Sequence, residues 1–147
     1  MILDDLTKVA SAQAFTADGV SASSFDLGNV TPKRRVAVGE PLALLAVITA
    51  VGTNTGSSLM EAIESAAATL TSPQIRGVYG AAAGELLAGS AFIVPISYGP
   101  VAPLRYLGFQ ADITGTVDFT VDVYIGRWSD VVGAYQAYAR GYAFDIS

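Results

Sequence analysis

The stretch Val117-Asp118-Phe119-Thr120-Val121-Asp122-Val123-Tyr124-Ile125 decides the fold class. Val117, Phe119, Val121, Val123 and Ile125 alternate with Asp118, Thr120, Asp122 and Tyr124. Successive side chains of a strand point to opposite faces, so this period of two marks a strand with one dry and one polar face. The run before it repeats the pattern, with Leu107, Phe109, Ala111 and Ile113 set against Tyr106, Gln110 and Asp112. Thr114-Gly115-Thr116 stands between them as a short turn, so the two runs are expected to pair as a hairpin. In that pairing Ile113 lies opposite Val117, and Asp112 faces Asp118 across the ladder.

Outward from this pair, segments of six to ten residues are punctuated by Gly, Pro, Asn and Ser, the spacing of a sandwich or barrel. Residues 12–17 and 22–27 read as short strands around a turn at Asp18-Gly19. Residues 41–51, PLALLAVITAV, suit a central strand buried on both faces, and Gly52 to Ser57 a loop. The stretch 58–72, SLMEAIESAAATLTS, is divided: its residues are good helix formers, yet its apolar positions make no clean helical stripe. Residues 128–147 hold Trp128, Tyr135, Tyr138, Tyr142 and Phe144 with few charges, and a weak helical period from Val131 to Arg140 allows a short terminal helix. No repeat, low-complexity tract or linker divides the chain.

Composition narrows the chemistry. The 147 residues fit one domain, with 52% hydrophobic and 14% charged, against about 25% charged in an average domain. So few charges point to surface covered in an assembly, a homo-oligomer or a complex. A net charge of −5 speaks against nucleic acid, whose phosphates need a basic face. With no His and no Cys, the usual zinc sites, Ser–His–Asp triads and Cys–His nucleophiles cannot form. No catalytic residue, cofactor or metal is expected. The first ten residues, MILDDLTKVA, lack the basic start of a secretory leader, and no apolar run reaches the ~20 residues of a membrane span.

Several short elements, taken in order, resemble a known family. Met1-Ile2-Leu3-Asp4, Ala12-Gln13-Ala14, Phe25-Asp26-Leu27-Gly28 and Val38-Gly39-Glu40-Pro41-Leu42 come first. Leu87-Ala88-Gly89, Val94-Pro95-Ile96 and Arg105-Tyr106-Leu107 follow. Over roughly residues 1–125 the chain resembles the capsid cement proteins of Bordetella-phage-type tailed phages. The resemblance implies an all-β, jelly-roll-like antiparallel sandwich of about eight strands, with 58–65 a strand. It further implies a homo-oligomer, dimer or trimer, on the outer surface of the virion head, bridging neighbouring major capsid protein subunits. Residues 126–147 extend past that core, packed on the same domain or on a neighbouring subunit.

Candidate contact residues follow from charge and aromatic content. Lys33, Arg34 and Arg35 form a basic cluster able to fork onto carboxylates, although a solvated loop reads equally simply. Asp112 and Asp118, opposed in the expected hairpin, would accept Arg or Lys side chains or a cation, or else stand solvated at a hairpin end. Asp122 shares that face. Arg127, Trp128, Tyr135, Tyr138 and Tyr142 are of the types enriched at interface hot spots. As an enzyme, the chain would have to use acids such as Asp112, Asp118, Asp122 and Glu85, with no cleft in prospect. As a sugar-binding module of a phage tail or fibre, it would use Tyr106 and Tyr124 as a platform across the hairpin.

Overall fold

The structure, a computed structural model, describes residues 7–26, 42–96 and 104–139. Among the described residues nine strands precede one α-helix: β1 Thr7–Phe15, β2 Gly19–Val20, β3 Phe25–Asp26, β4 Leu42–Val51, β5 Ser57–Ser65, β6 Gln74–Ala81, β7 Ala91–Pro95, β8 Tyr106–Thr114, β9 Phe119–Arg127 and α1 Trp128–Ala139. They form two sheets, one in the order β1-β9-β4-β7 and the other β2-β8-β5-β6, with β3 also paired to β8. The first is called sheet A below, the second sheet B.

Taking β2 and β3 as one interrupted strand, the antiparallel pairs are nested. β1 pairs with β9, β2 and β3 with β8, β4 with β7, and β5 with β6. This is a long hairpin rolled on itself, the jelly roll, with its tip at β5–β6. The all-β sandwich with a terminal helix agrees with the sequence reading, including the strand at 57–65 that helix propensity obscured.

The hairpin expected of residues 106–125 does not form. β8 belongs to sheet B and β9 to sheet A, so Thr114 to Asp118 arches across the sandwich. The dry faces of the two strands meet through the core: Leu107, Phe109 and Ala111 from one side, Val117, Phe119, Val121, Val123 and Ile125 from the other. Phe15 of β1 lies between them, edge-on to Phe109 at 5.5 Å and stacked on Phe119 at 5.7 Å. Alternation requires only that one side of each strand be dry, and two facing sheets satisfy it as well as one hairpin. Asp112 therefore pairs across from Leu59, and the opposition to Asp118 is lost.

β1 likewise ends at Phe15, and residues 16–18 carry the chain from sheet A to β2 in sheet B. β4 is buried on both sides from Leu42 to Ile48, whereas Thr49 to Val51, expected to be buried with the rest of the 41–51 run, are exposed. Leu42, Leu44, Ala46 and Ile48 face the sandwich core, whereas Ala43, Leu45 and Val47 face outward.

The arch after β8 is bound to the neighbouring arch after β4. Thr55 and Gly56 donate their N–H groups to the Thr116 carbonyl at 2.9 Å, and Gly52 donates to that of Asp118 at 2.9 Å. Asn54 binds Asp118 in both senses, donating to its carbonyl at 3.2 Å and accepting its N–H at 2.8 Å. Chain crossings leave backbone groups without ladder partners, and this exchange satisfies them. A Cβ on Gly56 would collide with the Thr114 carbonyl oxygen, whereas one on Gly84 would meet nothing within 4 Å.

The arch contact gives a direct test. Gly56→Ala should lower unfolding free energy by about 1–3 kcal/mol, the usual cost of overpacking. Gly84→Ala should stay within about 0.5 kcal/mol of the parent in the same urea titration.

Candidate functional site

The two outer faces of the sandwich differ. That of sheet A is covered by α1, which sets Val131 and Ala134 against Ala43, Leu45, Val47 and Tyr124, with Tyr135 packed at the margin. Tyr124 is 1% exposed, and its hydroxyl finds no hydrogen-bond partner. Burial, and secondarily the Asp122 charge, push that phenol well above its ordinary range. Tyr106 lies in sheet B, so it and Tyr124 form no shared aromatic platform. The residues expected to hold a sugar are thus separated, one of them beneath a helix.

Sheet B carries the contrasting face. Along β5, Met60 and Ala62 point into the core, so Leu59, Glu61 and Ile63 point outward. Glu61 lies between Val78 of β6 and Gln110 of β8, and Leu59 between Gly80 and Asp112. Ile63 lies between Ile75 and Gly108, and Leu70, from the β5–β6 loop, fills the space above Gly108. Ile75 and Val78 are each 54% exposed, and Leu59 is also exposed. Large apolar side chains grouped on one sheet face mark an interaction surface more than isolated ones do.

Glu61 is the anomaly in this apolar setting. It is only 2% exposed, and its Oε1 is buried without a hydrogen-bond partner. Asp112 lies two residues along β8 from Gln110, the partner of Glu61, and Asp18 is anchored beside it by accepting the Ile113 N–H at 2.6 Å. Burial first, then the charges of Asp112 and Asp18, raise the Glu61 carboxyl above its ordinary 4.5. Glu64, three residues on, is equally buried but fully served. Arg76 Nε donates to its Oε1 at 2.7 Å, and the Leu104 N–H donates to its Oε2 at 3.0 Å.

The remaining candidates are dispersed. Asp118 belongs to the inter-sheet arch, and Asp122 accepts the Ala12 N–H at 2.7 Å and pairs with Lys8 at 3.6 Å. Asp122 is thereby committed to β1 rather than to a metal. Glu85 accepts the Tyr79 hydroxyl at 2.6 Å and the Ala82 N–H at 3.1 Å, bonds that hold its carboxyl below its ordinary range. Arg127 donates to Asp130 at 3.0 Å, and Trp128 is exposed at the start of α1. Lys33, Arg34, Arg35 and Tyr142, and the side chain of Tyr138, lie outside the described residues. Among the described residues no group of three or more acidic, His or Cys side chains could hold a metal ion, and the chain has no Cys.

Propensity does not single out Glu61, because 58–72 suits a helix and a strand alike. As a strand, its odd positions read Leu59, Glu61, Ile63, an apolar face broken by one acid, which was the available signal.

Two measurements separate the glutamates. Below pH 4.5 Glu61 is protonated folded and unfolded; as pH rises further, the unfolded chain loses the proton first, so stability falls. Glu61→Gln should therefore raise the thermal midpoint at pH 7, with the advantage vanishing toward pH 4. Arg76→Met should instead cost about 3–5 kcal/mol at pH 7, because it leaves the Glu64 charge buried and uncompensated.

A search of curated proteins gave no match. A family model described as Bbp16 matches residues 9–123. That span begins in β1 and ends in β9, so it takes in strands of both sheets and stops before α1. The chain belongs to the Bbp16 family, a phage-associated family of proteins.

Proposed function

We propose that this protein is a capsid cement protein, a structural component of a tailed-phage virion. It binds the outer face of the icosahedral head and bridges neighbouring major capsid protein subunits. The observation that carries the reading is the inequality of the two sheet faces. α1 covers that of sheet A, whereas that of sheet B shows Leu59, Ile75 and Val78 to solvent. A protein that clamps a shell needs a rigid body with one adhesive face, and a sandwich with one face already covered supplies both. Family membership over residues 9–123 and the resemblance to cement proteins support the same reading. In it the protein works as a homo-oligomer, so that each particle of cement reaches more than one capsid subunit.

The sugar-binding alternative is less well supported, since its two tyrosines lie on different sheets. A charge placed on the bare face distinguishes adhesion from a passive surface. Ile75 is exposed and lies opposite the apolar Ile63, so Ile75→Lys should leave the thermal midpoint nearly unchanged. It should lower occupancy on heads stripped of the protein and re-decorated in vitro, read by cryo-electron microscopy, by about tenfold or more, as for a hot-spot residue. Full occupancy by the variant would exclude this face from binding. Absence of the parent protein from the outer shell would refute the cement role itself.

A further inference from the structure

We infer that the outer face of sheet B recognises a cationic side chain, a guanidinium or an ammonium, presented on an apolar segment of a partner protein, with Glu61 and Asp112 as its carboxylate receptors. This deepens the cement reading by stating what the bare face binds. Three observations converge on it.

The first is the orphaned acceptor. Glu61 Oε1 is buried without a partner, on a residue 2% exposed. A buried acceptor lacking a hydrogen bond costs about 1–3 kcal/mol, more when charged, and calls for an explanation where it persists. A donor brought by a partner supplies one.

The second is charge. Asp112 and Asp18 stand near enough to Glu61 to raise its carboxyl, so three acids share one outward-facing neighbourhood. The cations with described side chains are engaged elsewhere. Lys8 pairs with Asp122, Arg76 with Glu64, Arg105 with Asp26 and Arg127 with Asp130. None of these pairs includes Glu61, Asp112 or Asp18. Among the described residues, no ion pair neutralises these acids, and no group of three or more acidic, His or Cys side chains could hold a metal ion.

The third is the frame. Leu59 and Val78 flank Glu61 along and across the strands, and Ile75 extends the apolar surface along β6. Long basic side chains bury their methylene stems on such surfaces while the charged head reaches a carboxylate. An apolar rim also excludes water, which strengthens the ion pair at its centre. A free inorganic cation would gain nothing from this frame. Asp112, one of the acids singled out in the sequence for contact with Arg or Lys, is part of the receptor; Asp118, on the inter-sheet arch, is not.

Three experiments on the full chain test the inference, the first of them independently of the cement reading. In the first, the Glu61 side chain, labelled with 13C at the carboxyl, is titrated by NMR with and without n-butylguanidinium. The cation should move the Glu61 titration to lower pH, because it favours the charged carboxylate, whereas n-butylurea should leave it in place. No movement, or equal movement with both probes, overturns the inference. In the second, Glu61→Gln/Asp112→Asn is compared with the parent for binding to stripped heads. The loss should be about thirtyfold or more, as when one side of a buried charge pair is removed. Equal binding of variant and parent overturns the inference. If the parent does not bind heads, the cement reading fails and the guanidinium titration alone decides what the face accepts. Sedimentation adds the last arm: a self-association abolished by the double variant would assign the face to a second copy and overturn the foreign partner.

Discussion

The structure depends on how the chain crosses between its two sheets. Where β4 passes to β5 and β8 passes to β9, the crossings lie side by side. Asn54 ties them by accepting the Asp118 N–H and donating to the Asp118 carbonyl. That exchange lets a strand leave one sheet and enter the other without orphaning its backbone groups. Given those crossings, β8 and β9 deliver their dry faces to opposite walls of one core, and Phe15 can bridge Phe109 and Phe119. The outward orientation of Glu61 follows from the same step, since the β4–β5 arch sets the phase with which β5 enters sheet B.

What the sequence made legible follows the same line. Period two in 106–125 and the apolar run of 41–51 identify strands, and strands form there in the structure. Alternation records which side of a strand is dry and nothing about its neighbour, so it cannot tell the nearest strand in sequence from the partner in space. The true partner of Asp112 is Leu59, 53 positions earlier, across the nested order of the jelly roll. The turn held a hint, since Thr114-Gly115-Thr116 lacks the Asn-Gly or Asp-Gly step of a tight hairpin. The like-charge crowding expected at Asp112 does occur, but with Glu61 and Asp18 instead of Asp118. Residue types were thus readable; their juxtaposition required the topology.

β5 shows why propensity misleads within a sandwich. Met60, Glu61, Ala62 and Glu64 all favour a helix in isolation. In the fold each contributes a strand-specific contact instead. Met60 and Ala62 fill the core, Glu64 closes on Arg76, and Glu61 stands on the outer face. Cross-strand neighbours on both sides supply more than the tenths of a kcal/mol per residue that separate intrinsic preferences. Two glutamates three positions apart therefore have opposite fates. One is fixed by a guanidinium and a backbone N–H within the chain. The other keeps an unmet acceptor among apolar neighbours.

The scarcity of charge now has a more specific meaning than it had as a percentage. Part of it is internal: α1 covers Ala43, Leu45, Val47 and Tyr124, so these outer residues of β4 and β9 have no need to be charged. Another part lies on the outer face of sheet B, where Leu59, Ile75 and Val78 are exposed beyond the patch that Leu70 covers. A uniformly sticky surface would associate without selectivity. An apolar frame around a buried acid penalises any partner that cannot neutralise it, because such a partner would seal an unpaired carboxylate away from water. The cost of leaving Glu61 unsatisfied in the free protein is then the source of discrimination in the bound one.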